Sequence, residues 1–330
     1  MSQFNTRITT LLGIKNPILC GGLMWLSEAN YVAASARAGC IGFLTSRSFE
    51  SPARLREEIR KCRDLADGFP IGVNFSVSKR DRNDKDLRER IEIALSEGVQ
   101  AFETAGHTPE PVLGPVQAAG GVVIHKSASV RHALKAEALG ADAVAIVGHE
   151  EGGHPGMNEL STMFLATLAA RQIKVPVVMG GGIGTGEQIV GLLALGIDAV
   201  VMGSRFLVAE EIATHHNYKQ GMIAAGEHDT VAVLKSLGTT WRVLRNETSR
   251  QVMALEAEGV DTYAGFGEQL LGTYGREQAY RQGNYQQGML SVGPAVCFAN
   301  QIEPVGTIVN SLLLEAQRAV DRLKRLAPEA

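Results

Sequence analysis

A histidine held between two glycines and a proline is the most informative short stretch of this chain. The stretch is VGHEEGGHPGMNEL, residues 147–160, and it follows the apolar run ADAVAIVG. Gly152 and Gly153 would let the backbone pass close to a ligand, and Pro155 would restrict the exit from the bend. An imidazole with a pKa of about 6.5 can accept a proton or donate a hydrogen bond near neutral pH. His154 is therefore the candidate catalytic residue.

Eight short apolar runs recur over the first 205 residues. Each contains mostly β-branched or other apolar residues and ends in glycine or a polar residue, which is typical of strands buried on both faces of a parallel sheet. The runs are NPILCGG, GCIGFLTS, PIGVNFS, VQAFETAG, GVVIHKS, ADAVAIVG, VPVVMGGG and DAVVMGSR.

Helix-like segments separate these runs. One of them, TGEQIVGLLALG, has Thr185 and Gln188 at the spacing of a capping box. Strands that alternate with helices in this way predict an α/β fold, the (β/α)8 TIM barrel. The alternative is a doubly wound open sheet, which would need a G-x-G-x-x-G after an early strand. The glycine-rich GGGIGTG at 180–186 instead follows the seventh run, and this favours the barrel.

The pattern changes after Arg205. Residues 211–284 have no clear strand signal, and HDTVAVLKSLG and RNETSRQVMALEAEG are amphipathic at helical period. A long final helical pattern then follows. We therefore predict a barrel formed by residues 1–210 and 285–330, with an inserted helical cap domain at 211–284 on the substrate side.

The carboxyl ends of barrel strands carry the chemistry in this fold. Gly181 and Gly182 follow the seventh strand, and Gly203 and Ser204 follow the eighth. Glycine clusters at these two strands, each followed by a helix, are typical of a phosphate site because free backbone N–H groups and the helix N-terminus favour an anion. The alternative is that these glycines only make tight turns.

A phosphate at this position suggests a phosphorylated cofactor, and flavin mononucleotide (FMN) suits the remaining strand ends. Asn74 could hydrogen-bond the polar edge of the flavin ring. Lys126 could lie near its N1/C2 carbonyl, where positive charge stabilises the anionic reduced flavin. The alternative for Lys126 is a solvated surface lysine.

Composition excludes several other classes. The formal net charge is −3 with no block of like charges, so nucleic acid and anionic membranes are not expected partners. No run is long and apolar enough for a membrane span, and the N-terminus has no signal-peptide core. The four cysteines are scattered, which argues against a disulfide framework and a metal site. The expectation is a reduced, cytoplasmic protein.

Several blocks resemble the nitronate monooxygenase family, formerly called 2-nitropropane dioxygenases. GHEEGGHPG resembles the family's Gly-Gly-His signature, and PILCGGLMW, IGVNFS, FETAG, IHKSASVRHALKAEALG, VVMGGGIGTG and DAVVMGSRFL resemble its other blocks in the same order. RHALKAE and GREQAYRQGNYQQGMLSVG look closest to a bacterial branch that includes NADH:quinone reductases. The resemblance runs from about residue 17 to 293.

This resemblance implies an FMN-dependent oxidoreductase with His154 as its catalytic residue. His149 and Glu150 depart from the pattern and receive no role. The positions implied to contact FMN are Gly22, Leu23, Met24, Asn74, Lys126, Gly153, Gly181, Gly182, Gly203 and Ser204.

The leading functional expectation is oxidation of an alkyl nitronate, such as propionate 3-nitronate, with O2 to a carbonyl product and nitrite. The main alternative is reduction of a quinone with NAD(P)H. Flavin-dependent enoyl-acyl-carrier-protein reduction and non-catalytic FMN binding remain as further alternatives. Tyr280, Tyr285 and Met289 are candidates for the substrate side, or else for packing. The sequence predicts no oligomeric state.

Overall fold

A closed barrel of eight parallel strands forms the centre of the molecule and confirms the predicted fold. The computed structural model describes residues 4–78 and 84–326. The strands occur in sequence order around the barrel, and β1 closes it by pairing with β8, with Ile18 opposite Val200. The barrel strands are β1 (Ile18–Cys20), β2 (Ile41–Thr45), β3 (Gly72–Val77), β4 (Ala101–Gly106), β5 (Val122–Ser127), β6 (Ala143–Val147), β7 (Val177–Gly180) and β8 (Ala199–Met202).

Helices surround the barrel because every strand carries apolar side chains on both faces. Side chains such as Phe43 and Ile124 fill the barrel interior, whereas side chains such as Val123 and Val144 pack outward against the helices. The helices of this layer are α1 (Arg7–Leu12), α2 (Ala29–Arg37), α3 (Pro52–Ala66), α4 (Lys85–Ser96), α5 (Glu110–Ala118), α6 (Val130–Ala138), α7 (Thr162–Gln172), α8 (Gly186–Ala194) and, at the end of the chain, α13 (Val305–Leu326).

The capping box expected at the start of α8 is present. The Thr185 side chain accepts from the Gln188 backbone N–H, and the Gln188 side chain accepts from the Thr185 N–H. The last helix packs back on α8, where Glu315 accepts from the backbone N–H of Gly186 at 2.8 Å. Because α13 closes the helical layer beside the start of α8, it supports the loop that follows β7.

Residues 211–284, which we call the cap segment, contain four α-helices, several shorter helical turns and one β-hairpin. The helices are α9 (His216–Ile223), α10 (Glu247–Ala257), α11 (Tyr263–Phe266) and α12 (Gly272–Gly275). The hairpin pairs β9 (Thr230–Val233) with β10 (Trp241–Leu244), with Trp241 opposite Val233.

The expectation of a purely helical cap segment is therefore wrong at HDTVAVLKSLG. Leu234 lies at φ 68°, a left-handed conformation that ends any regular element. Each strand has only four residues, so its alternation is too short to be separated from a helical stripe by sequence alone. Pairing with the strand that follows, Trp241–Leu244, decides the conformation here.

No helix among residues 4–78 and 84–326 combines the length and the apolar character needed to cross a lipid bilayer.

Candidate active site at the carboxyl ends of the strands

A cavity of about 690 Å³ opens at the carboxyl ends of the barrel strands. Its size falls in the range of about 300–1,000 Å³ that is usual for small-molecule sites. The predicted site residues that line it are Gly22, Leu23, Met24, Lys126, Gly153, His154, Gly181, Gly182, Gly203, Ser204 and Tyr280. The topology therefore brings together candidates from five strand ends, those of β1, β5, β6, β7 and β8, and from the cap segment.

Three of the predicted site residues lie outside the cavity lining. Asn74 is buried beneath it, only 3% exposed, and donates its side-chain N–H to Glu103 at 2.5 Å. Met289 belongs to a buried apolar cluster that includes Val243 of the hairpin. The ring of Tyr285 packs against Gly221 in α9.

The hairpin of the cap segment holds the loop that carries His154. Gly153 and Arg242 exchange two backbone hydrogen bonds, of 2.9 Å and 2.6 Å, so β10 extends onto this loop. Gly153 lies at φ +120°, a conformation that other residues rarely adopt, and the space beside its Cα is open. The glycine next to the histidine is thus required by the backbone geometry.

The His154 ring stacks on Trp241, with ring centroids 5.1 Å apart and planes 24° apart. Trp241 is fixed in turn, because its indole N–H donates to the Ser291 hydroxyl at 2.8 Å. His154 is accessible from the cavity, but the surrounding protein removes enough water to lower the pKa of its imidazole. A neutral ring therefore faces the cavity near pH 7, and it can donate or accept a hydrogen bond.

Glu150 fastens the same loop to α7. Its carboxylate accepts from the backbone N–H of Thr162, at 3.0 Å and 3.2 Å, and from the Thr162 hydroxyl at 3.2 Å. That hydroxyl also lies 2.8 Å from the carbonyl oxygen of Gly181. Gly182, at φ +70°, packs so closely that a Cβ there would lie 2.9 Å from the Glu150 Cβ. Glu150 thus joins the histidine loop to the glycines after β7.

His149 joins the loop to the hairpin from the other side. Arg242 donates to the His149 carbonyl oxygen at 2.8 Å, and its guanidinium lies 2.7 Å from the His149 ring nitrogen Nε2. Burial, followed by the positive charge of Arg242, lowers the pKa of His149. A neutral His149 ring is the form that can accept from the guanidinium. Neither His149 nor Glu150 needs a catalytic role to explain its place.

Lys126 and Glu151 line the cavity, and Glu103 is buried next to Lys126. Lys126 Nζ lies 3.5 Å from Glu103 Oε1, and Glu103 is fully buried. Burial by itself lowers the pKa of Lys126, but the negative charges of Glu103 and Glu151 outweigh it and raise the pKa above its ordinary value. Lys126 is therefore a charged side chain inside the barrel, paired with the buried carboxylate of Glu103. It is largely buried rather than a solvated surface lysine.

The opposite end of the cavity is suited to an anion. Gly181, Gly182 and Gly203 expose backbone there, and helix α8 begins shortly after the first two. The Ser204 hydroxyl oxygen accepts from the Gly293 backbone N–H at 2.9 Å, which leaves its own O–H free to donate. The residues present therefore fit a phosphate group at this end and an acceptor beside Lys126 at the other.

Sequence reasoning missed three side chains of the site: Glu151, Trp241 and Arg242. Glu151 lines the cavity two residues before Gly153 on the signature loop, so its position in the motif was a usable signal. Trp241 and Arg242 come from the unpredicted hairpin, and nothing in the local pattern pointed to the distant loop they contact.

The fold and this site define an α/β-barrel enzyme whose cavity suits a phosphate-bearing organic cofactor. A family model described as nitronate monooxygenase matches residues 5–315. The chain therefore belongs to the nitronate monooxygenase family, as its motifs predicted, and is a flavin-dependent oxidoreductase.

Two curated relatives illustrate the range of this similarity. The chain is 32% identical over 259 residues to a Rhodococcus jostii (strain RHA1) protein named (3aS,4S,5R,7aS)-5-hydroxy-7a-methyl-1-oxo-octahydro-1H-indene-4-carboxyl-CoA dehydrogenase, covering 78% of this chain and 70% of the relative. It is 28% identical over 285 residues to a probable nitronate monooxygenase of Staphylococcus saprophyticus, covering 74% of this chain and 80% of the relative.

A solved structure agrees with the fold over almost the whole length. FabK from Thermotoga maritima superimposes with a TM-score of 0.89 at 30% sequence identity, covering 98% of this chain and all of that chain. The similarity therefore extends through the barrel and the cap segment alike.

Proposed function

We propose that this protein is an FMN-dependent nitronate monooxygenase, which oxidises alkyl nitronates such as propionate 3-nitronate with O2 to a carbonyl product and nitrite. The observation that carries this proposal is the position of the His154 ring, which stacks on Trp241 and lines the cavity. We also propose residues 1–210 and 285–330 as the cofactor-binding barrel and the cap segment as the part that covers the substrate.

FMN is proposed because the two ends of the cavity suit its two polar ends. The glycines after β7 and β8, with Ser204, would hold the phosphate, and Lys126 would face the carbonyl edge of the ring. Asn74 already donates its N–H to Glu103, so only its carbonyl oxygen remains for the cofactor. Bound FMN would supply the electron transfer that links the nitronate to O2.

His154 would orient the substrate in this proposal. A neutral imidazole with one N–H can donate to a nitronate oxygen, and its other nitrogen can accept a proton. The Trp241 ring and the two hydrogen bonds between Gly153 and Arg242 limit its movement, which lowers the entropic cost of orientation. The protein therefore contributes position and hydrogen bonding, while the cofactor contributes redox chemistry.

The length of the cavity favours a second candidate, reduction of a larger acceptor such as a quinone with NAD(P)H. Beyond the barrel mouth the cavity continues past His107 and Pro109 and along His132 and Lys135 of α6. A small nitronate does not need this extension. The name of the Rhodococcus jostii relative, a carboxyl-CoA dehydrogenase, adds a CoA thioester as a further large substrate class, there as the electron donor.

Anaerobic stopped-flow on the FMN-reconstituted protein separates the two candidates. Bleaching of the flavin by propionate 3-nitronate, with nitrite release under air, supports the monooxygenase. Bleaching by NADH or NADPH, followed by reoxidation with a quinone or an enoyl-CoA, supports the reductase and refutes the first proposal.

A pair of variants tests the role of His154. His154→Asn should lower kcat/KM by at least about tenfold, since one catalytic hydrogen bond is worth more than about 1.4 kcal/mol in such a site. His228→Asn is the matched control because the His228 side chain is 93% exposed. Equal activity of the two variants would remove His154 from the mechanism.

A further inference from the structure

Three ionisable side chains influence one another at the barrel end of the cavity, and their charges do not balance. Lys126 is the cation, and Glu103 and Glu151 are the carboxyl groups that act on it. Glu103 contacts both Lys126, at 3.5 Å, and the Asn74 amide, at 2.5 Å. With both carboxyl groups ionised, this low-dielectric region would carry one uncompensated negative charge, which is costly.

Glu151 is the member of the cluster that can relieve this imbalance. It lines the cavity and is partly exposed there, so a charge placed in the cavity acts on its carboxyl group. Burial raises the pKa of Glu151 to about 7, with Lys126 acting against this shift and Glu103 adding to it. Glu151 therefore sits between its two protonation states near neutral pH, whereas Glu103 is held by two polar partners.

The other charged groups near this loop are engaged elsewhere. The Glu150 carboxylate is bound to Thr162 at the start of α7, and Arg242 is bound to His149 on the outer side. Neutral His154 is the remaining titratable group of the loop that faces the cavity. Burial, which favours the protonated form of Glu151, is therefore opposed chiefly by the positive charge of Lys126.

We propose that Glu151 takes up a proton whenever negative charge develops beside Lys126. A new anion competes with Glu151 for the single ammonium group, and a carboxyl group that loses its counter-charge in a partly buried site binds a proton instead. The proposal rests on FMN as the cofactor, because reduction of the flavin is the event that would place negative charge beside Lys126. Glu151 would then keep the charge of the site constant during reduction.

The midpoint potential of the bound flavin above pH 7 tests this coupling. For each proton taken up with two electrons, the equilibrium constant of flavin reduction changes tenfold per pH unit. This corresponds to a change in midpoint potential of about 30 mV per pH unit. With an anionic reduced flavin, wild type should show about 60 mV per pH unit, one proton on the flavin and one on Glu151. Glu151→Gln, which keeps the shape and cannot take up a proton, should show about 30 mV.

Glu159→Gln is the control, because Glu159 is an exposed carboxylate on the same loop that pairs with Lys235. It should retain the wild-type slope. Equal slopes in wild type and Glu151→Gln would overturn the proposal.

Infrared titration of the flavin-free protein gives a second readout that does not depend on the proposed cofactor. A carboxylic acid C=O band should disappear as the pH rises through about 7 in wild type, and it should be missing in Glu151→Gln. A protein that fails to bind FMN but shows this band refutes the proposed cofactor while retaining the Glu151 assignment. The same spectrum in both proteins overturns the assignment.

Discussion

His125 should make the protein lose stability in mild acid. It alternates with Lys126 along β5, so Lys126 points into the barrel while His125 points outward, where its Nδ1 lies 2.9 Å from the Thr104 hydroxyl. His125 is only 5% exposed. Burial, and then the nearby His132, lower the pKa of His125 from 6.5 to about 4. The folded state therefore resists a proton that the unfolded chain binds readily.

The sign and the size of the effect follow from proton linkage. A depressed folded-state pKa contributes stability that is present above about pH 6.5 and is lost as the pH falls toward 4. Between pH 7 and pH 5, a single group with these two pKa values lowers the free energy of unfolding by about 2 kcal/mol. His125→Gln keeps a partner for Thr104 and has no proton to take up, so it should lack this loss.

Urea unfolding at pH 7 and pH 5 measures the difference, with fluorescence and circular dichroism required to coincide. The free energy of unfolding changes with pH in both wild type and His125→Gln. The difference between these two changes removes the contributions of the other titrating groups. His228→Gln is the control because that side chain is 93% exposed, and it should behave as wild type does. If His125→Gln loses as much stability as wild type between the two pH values, the burial argument fails.

Two further predictions concern the loop that carries His154. Glu150→Ala should lower the free energy of unfolding by about 2–3 kcal/mol, because Thr162 loses a charged acceptor at the start of α7. Urea unfolding measures this loss, and Glu150→Gln, which keeps an acceptor oxygen, should lose less stability. Trp241→Leu should lower kcat by about tenfold, because the His154 ring loses the aromatic ring on which it stacks. Steady-state kinetics measures this loss, and Trp241→Phe, which keeps an aromatic ring, should have the smaller effect. Wild-type kcat in Trp241→Leu would show that stacking does not position His154.

The sequence was sufficient for the barrel because each strand is buried on both faces and ends in glycine or a polar residue. That pattern is local, and so is the capping box of Thr185 and Gln188. The hairpin was missed because Thr230–Val233 has too few residues to show alternation, and its partner strand decides its conformation. The local pattern is insufficient where an element is this short, because its pairing with another strand then decides its conformation.

The sequence by itself determined which residues reach the carboxyl ends of the strands. The end of each apolar run fixes these residues, and the alternation of side chains along a strand fixes which of them face the barrel interior. It therefore identified Lys126, Ser204 and the glycines of the cavity, and it put His154 on a constrained bend. Only the tertiary structure decided which partners surround them. Arg242 holds the histidine loop across 89 residues of chain, between positions 153 and 242. Glu103 and Glu151 set the charge of Lys126 from separate strand ends. Such contacts depend on distances in space, which no local pattern of residue types encodes.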